Sequence, residues 1–333
     1  MKIALFEVER WEAESFQALG QDHELVYEQS VLTEELAERH GDAEILSPFI
    51  YSQLRRPLLQ RLPKLKLIAT RSTGYDHIDT AYCAEHGIKV ANVPTYGENT
   101  VAEHVFALLL AISHHMVEAV DRTRRGDFSQ AGLQGFDLEG KTIGVIGTGG
   151  IGSHTCRIAR GFAMQVLAFD VAPDQSLTEQ LGVTYVPLEE LLARSDIVTL
   201  HVPANPRTRH LLGREQFAQM KHGAVLINTA RGDVVDVRAL LEALKDGKVR
   251  AAGLDVLPEE PTVREEAELL RSAFQKEHDL ETLLADHILL RLRNVIITPH
   301  SAFNTREAVE RILQTTRENI EAFLAGAPVN LVG

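Results

Sequence analysis

Short apolar runs rich in β-branched residues alternate with helix-forming segments along the N-terminal part of the chain. The runs, each predicted to be a strand, are residues 3–6, 24–27, 44–46, 65–70 and 89–92. The segments between them are rich in Glu, Leu, Ala and Arg. Strands that alternate with helices form a parallel sheet with helices on both faces. The pattern predicts a first doubly wound α/β domain.

The pattern then changes to one long helical stretch at residues 101–124, whose first half is strongly apolar and whose end is charged. A second series of predicted strands follows at residues 142–146, 166–169, 197–200, 224–227, 251–254 and 295–298. A last helix is predicted at residues 305–323. A chain of this length is typical of two domains. We expect residues 1–99 and 301–333 to form one α/β domain and residues 100–300 the other.

The charge and the cysteine content of the chain limit which binding partners and which cellular compartment we expect. The chain has 34 Lys and Arg against 47 Asp and Glu, a formal net charge of −13, which repels nucleic acids and anionic membranes. Two cysteines are too few for a disulfide framework. Glu7 interrupts any N-terminal secretory segment, and the most apolar run, residues 105–112, is far shorter than the ~20 residues of a membrane span. We expect a cytoplasmic protein without nucleic-acid or membrane partners.

A glycine-rich loop follows the predicted strand at residues 142–146 and precedes a helical pattern. In Gly147-Thr148-Gly149-Gly150-Ile151-Gly152, Gly147 permits a tight turn, Gly149 allows close approach of a pyrophosphate, and Gly152 allows the helix to pack on the strand. The helix N-terminus supplies N–H donors. Asp170, 18 residues after Gly152, can accept the ribose hydroxyls, and no arginine follows it. The loop therefore predicts a dinucleotide cofactor, and Asp170 predicts that it is NAD rather than NADP.

Polar signatures stand at the ends of three further predicted strands. They are Asn-Thr-Ala-Arg-Gly at residues 228–232, a Gly-Leu-Asp-Val run with Glu260 after it at 253–261, and Thr-Pro-His at 298–300. Ligands of an open α/β sheet bind beyond the carboxyl ends of the strands. Carbonyl reduction needs a cation for the carboxylate and ketone, a proton donor, and a group that keeps the donor protonated. Arg231, His300 and Glu260 meet these needs in that order.

Each of these side chains also has an interpretation in which it takes no part in catalysis. His300 can be a core histidine, and Arg231 can be a surface ion-pair residue, but their positions at strand ends favour chemistry. Glu259 is adjacent to Glu260 and can take its place. A metal site is conceivable at three histidines of the long helix, but no HExxH spacing or nearby cysteine supports one. These three residues are His104, His114 and His115.

Several motifs in order resemble the D-isomer-specific 2-hydroxyacid dehydrogenase family over essentially the whole chain. Besides the glycine loop they are Val-Ala-Glu-His at 101–104, Gly-Lys-Thr-Ile-Gly-Val-Ile-Gly at 140–147, and the three strand-end signatures. The resemblance implies a flavodoxin-like substrate domain at 1–99 and 301–333 and a Rossmann NAD-binding domain at 100–300, with the active-site cleft between them. It also implies a homo-oligomer, since members commonly dimerise through the cofactor domain.

The resemblance also implies roles for individual residues. Arg231 would bind the substrate carboxylate and keto group, His300 would be the acid/base, and Glu260 would be its carboxylate partner. The backbone of Thr73 and Gly74 would hold the carboxylate, and Tyr96 and Phe303 would cover the substrate side chain. The cofactor would be lined by Gly147, Gly149, Gly150, Ile151, Gly152, Asp170, Val202, Pro203, Thr208, Thr229, Ala230, Arg231, Asp255 and His300.

Within the family, the D-lactate dehydrogenase branch is the most similar. Asp-Phe-Ser with Gly-Leu-Gln-Gly-Phe at 127–136, Val-Pro-Thr-Tyr at 93–96 and a long segment at 262–293 support this. The same catalytic set serves glyoxylate, hydroxypyruvate or longer 2-oxo acids, and Leu257-Pro258 and Gly97-Glu98 depart from common family residues. An NAD-sensing binding protein, as in related corepressors, is a third possibility. We expect reduction of pyruvate to D-lactate.

Overall fold

The computed structural model describes residues 1–258 and 280–332, with the backbone alone at 280–284. The chain divides into two compact units, Met1–Tyr96 with Thr305–Gly333, and Gly97–Asn304. We call them unit 1 and unit 2. The division lies three and four residues from the predicted boundaries at 99/100 and 300/301. The first boundary moves because the helix that begins at Glu98 belongs wholly to unit 2. The second moves because the N–H groups of Ser301 and Ala302 donate hydrogen bonds to the carboxylate of Asp255, in the same unit.

The sheet of unit 1 has the strand order β2-β1-β3-β4-β5 in the described residues, and all its pairs are parallel. This is the flavodoxin-like order, with its switch point between β1 and β3. The strands are β1 Lys2–Phe6, β2 Glu24–Glu28, β3 Ile45–Ser47, β4 Leu67–Ala69 and β5 Lys89–Ala91. The helices are α1 Arg10–Ala13, a 3₁₀ helix Glu14–Gln21, α2 Glu34–Arg39, α3 Arg56–Leu59, α4 Thr80–Glu85 and, from the C-terminal segment, Arg306–Leu324.

The sheet of unit 2 has the order β12-β11-β10-β9-β6-β7-β8 in the described residues and is also parallel throughout. This is the Rossmann order with one added strand, and its switch point lies between β6 and β9. The strands are β6 Thr142–Ile146, β7 Gln165–Phe169, β8 Thr184–Tyr185, β9 Ile197–Leu200, β10 Ala224–Asn228, β11 Val249–Leu254 and β12 Val295–Ile297. The fold class predicted from the sequence is confirmed.

Helices cover both faces of this second sheet. They are α5 Glu98–Ser113, α6 Met116–Arg124, α7 Gly150–Gly161, α8 Gln175–Leu181, α9 Leu188–Arg194, α10 Arg214–Gln219, a 3₁₀ helix Gly232–Val234, α11 Val237–Lys245 and α12 Leu280–Leu289. The helix Arg306–Leu324 of unit 1 is α13. Two apolar clusters lie on the two sides of this sheet, and unit 1 has its own cluster around Phe6, Leu46 and Ile68. Each unit therefore buries an independent core.

The prediction of one continuous helix at residues 101–124 is wrong. α5 ends at Ser113 and α6 begins at Met116, with a bend of 61° between them. The carbonyl of Ser113 accepts the N–H of Phe136 at 3.0 Å instead of a helical N–H, and His115 adopts a left-handed φ of 49°. A distant segment thus ends the helix, and helical periodicity alone cannot show this.

No single helix in the described ranges is long and apolar enough to cross a membrane. Only α5 and α6 taken together, despite their bend, meet the requirements of length and hydropathy.

Candidate functional site

The glycine-rich loop of unit 2 connects β6 to α7 in a conformation that requires its glycines. Gly147 has a φ of 94°, which side chains rarely tolerate. A Cβ at Gly152 would stand 1.9 Å from the carbonyl oxygen of Gly147. A Cβ at Gly149 would meet nothing within 4 Å, so this side of the loop is open. No side chain of the described residues caps α7, and its first turn has no acidic residue. The free helix N-terminus is suited to a pyrophosphate.

Two buried polar atoms support the same interpretation. The hydroxyl oxygen of Thr229, after β10, has no hydrogen-bond partner among the described residues, and neither does Nδ1 of His201, after β9. Burial lowers the pKa of His201 to about 3, so its imidazole is neutral at physiological pH. Buried polar groups in native proteins nearly always have a partner. The residues of this edge therefore fit a polar cofactor.

Asp170 directly follows β7, in a half-buried position. Its Oδ2 accepts the N–H of Thr148 at 2.6 Å and the hydroxyl of Thr148 at 3.1 Å, and Oδ1 accepts the N–H of Ala172 at 2.9 Å. Partial burial acts to raise the pKa of Asp170, but these donors outweigh it and the pKa is lowered. Asp170 is thus a fixed anion beside the glycine loop.

The loop that carries His300 is held on both sides by Asp255, which is 1% exposed. The N–H of His300 donates to the carbonyl of Asp255 at 2.9 Å, and the next two N–H groups, of Ser301 and Ala302, donate to its carboxylate. The hydroxyl of Thr298 donates to the same carboxylate. His300 has a left-handed φ of 52°. Asp255, predicted to line the cofactor, has most of its acceptor capacity occupied by this loop.

Arg231 follows β10 on a turn fixed by Asn228. The side chain of Asn228 accepts the N–H of Ala230 at 3.0 Å and donates to the carbonyl of Arg231 at 2.9 Å. Arg231 is half-buried, and its Nη1 donates to the carbonyl of Ala230 at 2.8 Å. β10 and β12 flank β11, so Arg231 and His300 follow strands on either side of Asp255.

The other residues predicted to line the cofactor lie on the same carboxyl edge. Val202 and Pro203 follow β9, and the hydroxyl of Thr208 donates to the carbonyl of Pro203 at 2.6 Å. The sequence placed these residues at strand ends, and a parallel sheet brings such ends to one edge. Glu260 and its neighbour Glu259 lie outside the described residues, as does much of the segment at 262–293.

Unit 1 has a polar loop after β4 that contains Thr73 and Gly74. The hydroxyl of Ser72 donates to the carbonyl of Gly74, the hydroxyl of Thr73 to that of Val93, and Asn92 Nδ2 to that of Thr73, each at 2.7 Å. Hydrogen bonds among the described residues use neither the N–H of Thr73 nor that of Gly74. The loop is therefore fixed by its carbonyls and hydroxyls while two successive N–H donors remain available for an anion.

A buried arginine supports this loop from behind. Arg71, 2% exposed, donates to the carbonyls of Phe6 at 2.6 Å, Glu7 at 2.7 Å and Ser47 at 2.9 Å. Burial lowers its pKa to about 10, which still leaves the guanidinium charged. The side chain ties the ends of β1 and β3 to the end of β4. Sequence analysis missed Arg71, although it stands at a strand end next to the predicted loop.

Tyr96 and Phe303 were predicted to cover the substrate side chain. Tyr96 belongs to unit 1, after β5, and its carbonyl accepts Nε of Arg311 on α13. Phe303 belongs to unit 2, three residues after His300, and both rings are half-buried.

Sequence analysis also missed the partner of His104 on α5. Its Nε2 lies 3.0 Å from the hydroxyl of Thr298 and 3.5 Å from Oδ1 of Asp255. Within the described part of the chain, no three His, Cys, Asp or Glu side chains gather as a metal ion would require. Only the three-dimensional structure shows that His104 contacts the loop that carries His300, because His104 and Thr298 lie 194 residues apart in the chain.

A family model, curated relatives and a solved structure all match this chain over most of its length. Residues 106–302 match the family model of the D-isomer-specific 2-hydroxyacid dehydrogenase NAD-binding domain. The chain is 37% identical to D-lactate dehydrogenase of Escherichia coli, over 96% of both chains. It is 39% identical to glycerate dehydrogenase of Methylorubrum extorquens, over 92% of this chain and 90% of that one. The structure of Aquifex aeolicus D-lactate dehydrogenase with NAD and lactic acid superposes with a TM-score of 0.86, at 37% identity, over 98% and 96% of the two chains.

The chain belongs to the D-isomer-specific 2-hydroxyacid dehydrogenase family. Its cofactor is NAD. The family thus accounts for the glycine loop, the free N-terminus of α7 and the open side of Gly149.

Proposed function

We propose that the protein is a D-lactate dehydrogenase that reduces pyruvate with NADH. The observation that carries the proposal is the placement of Arg231 and His300 after β10 and β12, at the sheet edge that also holds the glycine loop. An acid/base and a carboxylate-binding cation beside a nicotinamide site are what reduction of a 2-oxo acid requires. Similarity to D-lactate dehydrogenases over nearly the whole chain supports pyruvate as the substrate.

The residues divide the chemistry among them. The planar guanidinium of Arg231 binds the substrate carboxylate and polarises the keto group. The N–H groups of Thr73 and Gly74 hold the same carboxylate, and Tyr96 and Phe303 cover the methyl group. His300 donates its proton to the keto oxygen, and Glu260 favours the protonated imidazole. NAD would supply the hydride when bound in reduced form, and Asp170 would bind its ribose hydroxyls.

The cofactor would be held along the carboxyl edge of unit 2. The glycine loop and the first turn of α7 would hold the pyrophosphate, and the strand-end segments after β9, β10, β11 and β12 would line the remainder. The open side of Gly149 and the hydroxyl of Thr229, which has no partner among the described residues, support this arrangement.

A panel of 2-oxo acids with NADH tests the proposal. We expect pyruvate to give the highest kcat/KM, above glyoxylate, hydroxypyruvate and longer-chain acids, and chiral chromatography to show D-lactate as the product. Hydroxypyruvate is the strongest competitor, because the glycerate dehydrogenase is as similar as the D-lactate enzymes. L-lactate as the main product would contradict the assignment, and absence of turnover with intact NADH binding would favour an NAD-sensing protein.

We also infer a homodimer formed through unit 2. α6 and the segment after it expose an unusual set of apolar side chains: Met116 at 51%, Val117 at 56%, Val120 at 39% and Phe128 at 79%. Exposed apolar clusters of this kind mark interaction surfaces. Light scattering should give twice the chain mass, and Val117→Asp should shift it toward the monomer, whereas Val31→Asp, at an exposed position of unit 1, should not.

A cytoplasmic location is part of the same proposal. Both cysteines, Cys83 and Cys156, are buried free thiols, and burial raises their pKa values to about 11 and about 12, so neither is a reactive thiolate. Fractionation of the native cells should place the protein with cytoplasmic markers.

A further inference from the structure

The carboxylate of Asp170 is the end of a hydrogen-bond chain that begins on the edge strand β8. The hydroxyl of Tyr185 lies 2.9 Å from Oγ1 of Thr148, which in turn donates to Oδ2 of Asp170. The N–H of Asp174 donates to the oxygen of Tyr185 at 3.1 Å. Thr148 is the second residue of the glycine loop and is 6% exposed. The chain thus joins β8, the glycine loop and the end of β7.

The direction of the protons in this chain follows from the chemistry of its members. An ionised carboxylate only accepts hydrogen bonds, so the single hydroxyl proton of Thr148 goes to Asp170. Oγ1 of Thr148 must then accept the proton of Tyr185. The oxygen of Tyr185 accepts from Asp174. All donors point toward Asp170, and hydrogen bonds aligned in one direction strengthen one another.

The backbone fixes the position of each member. Tyr185 pairs with Ala168 in the parallel ladder of β8 and β7, two residues before Asp170. Thr148 uses its own N–H as a second donor to Oδ2, at 2.6 Å. The carboxylate accepts the N–H and the hydroxyl of Thr148 and the N–H of Ala172, and a backbone hydrogen bond from Val171 also lowers its pKa. These donors hold the carboxylate from several sides.

We propose that Thr148 and Tyr185 are positioning residues that set the preference for NADH over NADPH by holding the Asp170 carboxylate in one orientation. The inference rests on the proposed role of Asp170 at the ribose. A carboxylate that rotates freely can turn away from a 2′-phosphate and so reduce the repulsion. A carboxylate bound by both donors of Thr148 cannot. Selectivity therefore depends on two residues that need no contact with the phosphate itself.

The test measures the dissociation constants of NADH and NADPH by isothermal titration calorimetry, without substrate. Thr148→Val removes the hydroxyl and keeps the N–H. We expect the ratio of the NADPH constant to the NADH constant to fall about tenfold, as for the loss of a hydrogen bond to a charged group. Tyr185→Phe removes the hydrogen bond to Thr148 rather than one to Asp170 itself, and should lower the ratio about threefold. Thr148→Ser restores the hydroxyl and should restore the ratio.

Tyr27→Phe is the matched control, because Tyr27 also lies on an edge strand and its hydroxyl donates a hydrogen bond to the carbonyl of Ala13 in unit 1. It should leave the ratio unchanged. Equal weakening of both cofactors by Thr148→Val and Tyr185→Phe would indicate support of the fold alone and would overturn the inference. Asp170→Ala separates the two hypotheses. If it changes the ratio and the other variants do not, only the positioning role fails; if it does not, the ribose role of Asp170 fails as well, and this inference fails with it.

Discussion

The two units place anion-binding groups at the carboxyl ends of parallel strands by different means. In unit 2 the glycine loop exposes the N-terminus of α7, and close backbone contact excludes side chains at Gly147 and Gly152. In unit 1 the loop with Thr73 and Gly74 begins no helix. Asn92, two hydroxyls and Arg71 fix it in place. In unit 2 the lack of side chains at the glycines leaves the N–H donors accessible. In unit 1 buried polar side chains hold the loop that presents them.

This difference determines how mutations should act. In unit 2, the proposed reacting groups, those of His300 and Arg231, are side chains, so their loss should remove chemistry directly. In unit 1, the proposed donors are backbone N–H groups, which remain after any substitution except proline. Other substitutions there change only the supports of the loop, and the effects should be smaller and confined to substrate binding.

The largest effect is expected for His300→Ala. Loss of a general acid reduces turnover by about 10²–10⁴-fold, while NADH binding, measured by calorimetry, should be kept because the glycine loop is untouched. His115→Ala, which changes an exposed histidine of the same unit, is the control. Near-normal kcat in His300→Ala would remove the acid/base assignment.

Arg231→Lys should follow in size. Lysine keeps the charge but loses the planar pair of donors, so one charge-assisted hydrogen bond of ~1.5–3 kcal/mol is lost. We expect kcat/KM for pyruvate to fall about 10- to 100-fold, with the NADH dissociation constant unchanged. If Arg231→Lys weakened NADH as strongly as pyruvate, Arg231 would belong to the cofactor site alone.

Turnover of paired variants tests which glutamate supports His300. Glu260→Gln removes the carboxylate proposed to hold the imidazole of His300 and should lower kcat with pyruvate, while NADH affinity stays close to normal. The opposite result, with Glu259→Gln lowering kcat and Glu260→Gln leaving it unchanged, would assign the role to Glu259.

Most of unit 2 could be predicted from the sequence because its chemistry depends on residue types at fixed spacing. Gly147, Gly152 and Asp170 are each required by a backbone angle, a close contact or a charge, and parallel strands bring Arg231 and His300 to one edge. The supports could not be predicted, because hydrogen bonds such as that between His104 and Thr298 join residues far apart in the chain. β8, only two residues long, has no pattern to recognise.

The two glycines of the loop should separate folding from cofactor binding. In Gly152→Ala the new Cβ meets the Gly147 carbonyl at 1.9 Å, and such overpacking costs about 1–3 kcal/mol of unfolding free energy. In Gly149→Ala the Cβ enters open space, so stability should be unchanged while NADH binding weakens. Urea unfolding and calorimetry measure the two effects. Unchanged NADH affinity in Gly149→Ala would show that the pyrophosphate does not approach this side of the loop.

The smallest effect is expected in unit 1, for Asn92→Ala. The buried Asn92 side chain donates to the carbonyl of Thr73 at 2.7 Å, and its loss costs about 1 kcal/mol. Because that bond fixes the loop whose N–H groups are proposed to hold the carboxylate, the KM of pyruvate should rise by up to about fivefold, while kcat and NADH affinity stay close to normal. Thr33→Ala is the matched control. It removes the N-cap hydrogen bond of α2 in the same unit, at a similar cost of ~1 kcal/mol, and should leave the KM unchanged. An equal rise in KM in both variants would mean that general destabilisation of unit 1, and not the loop, weakens pyruvate binding.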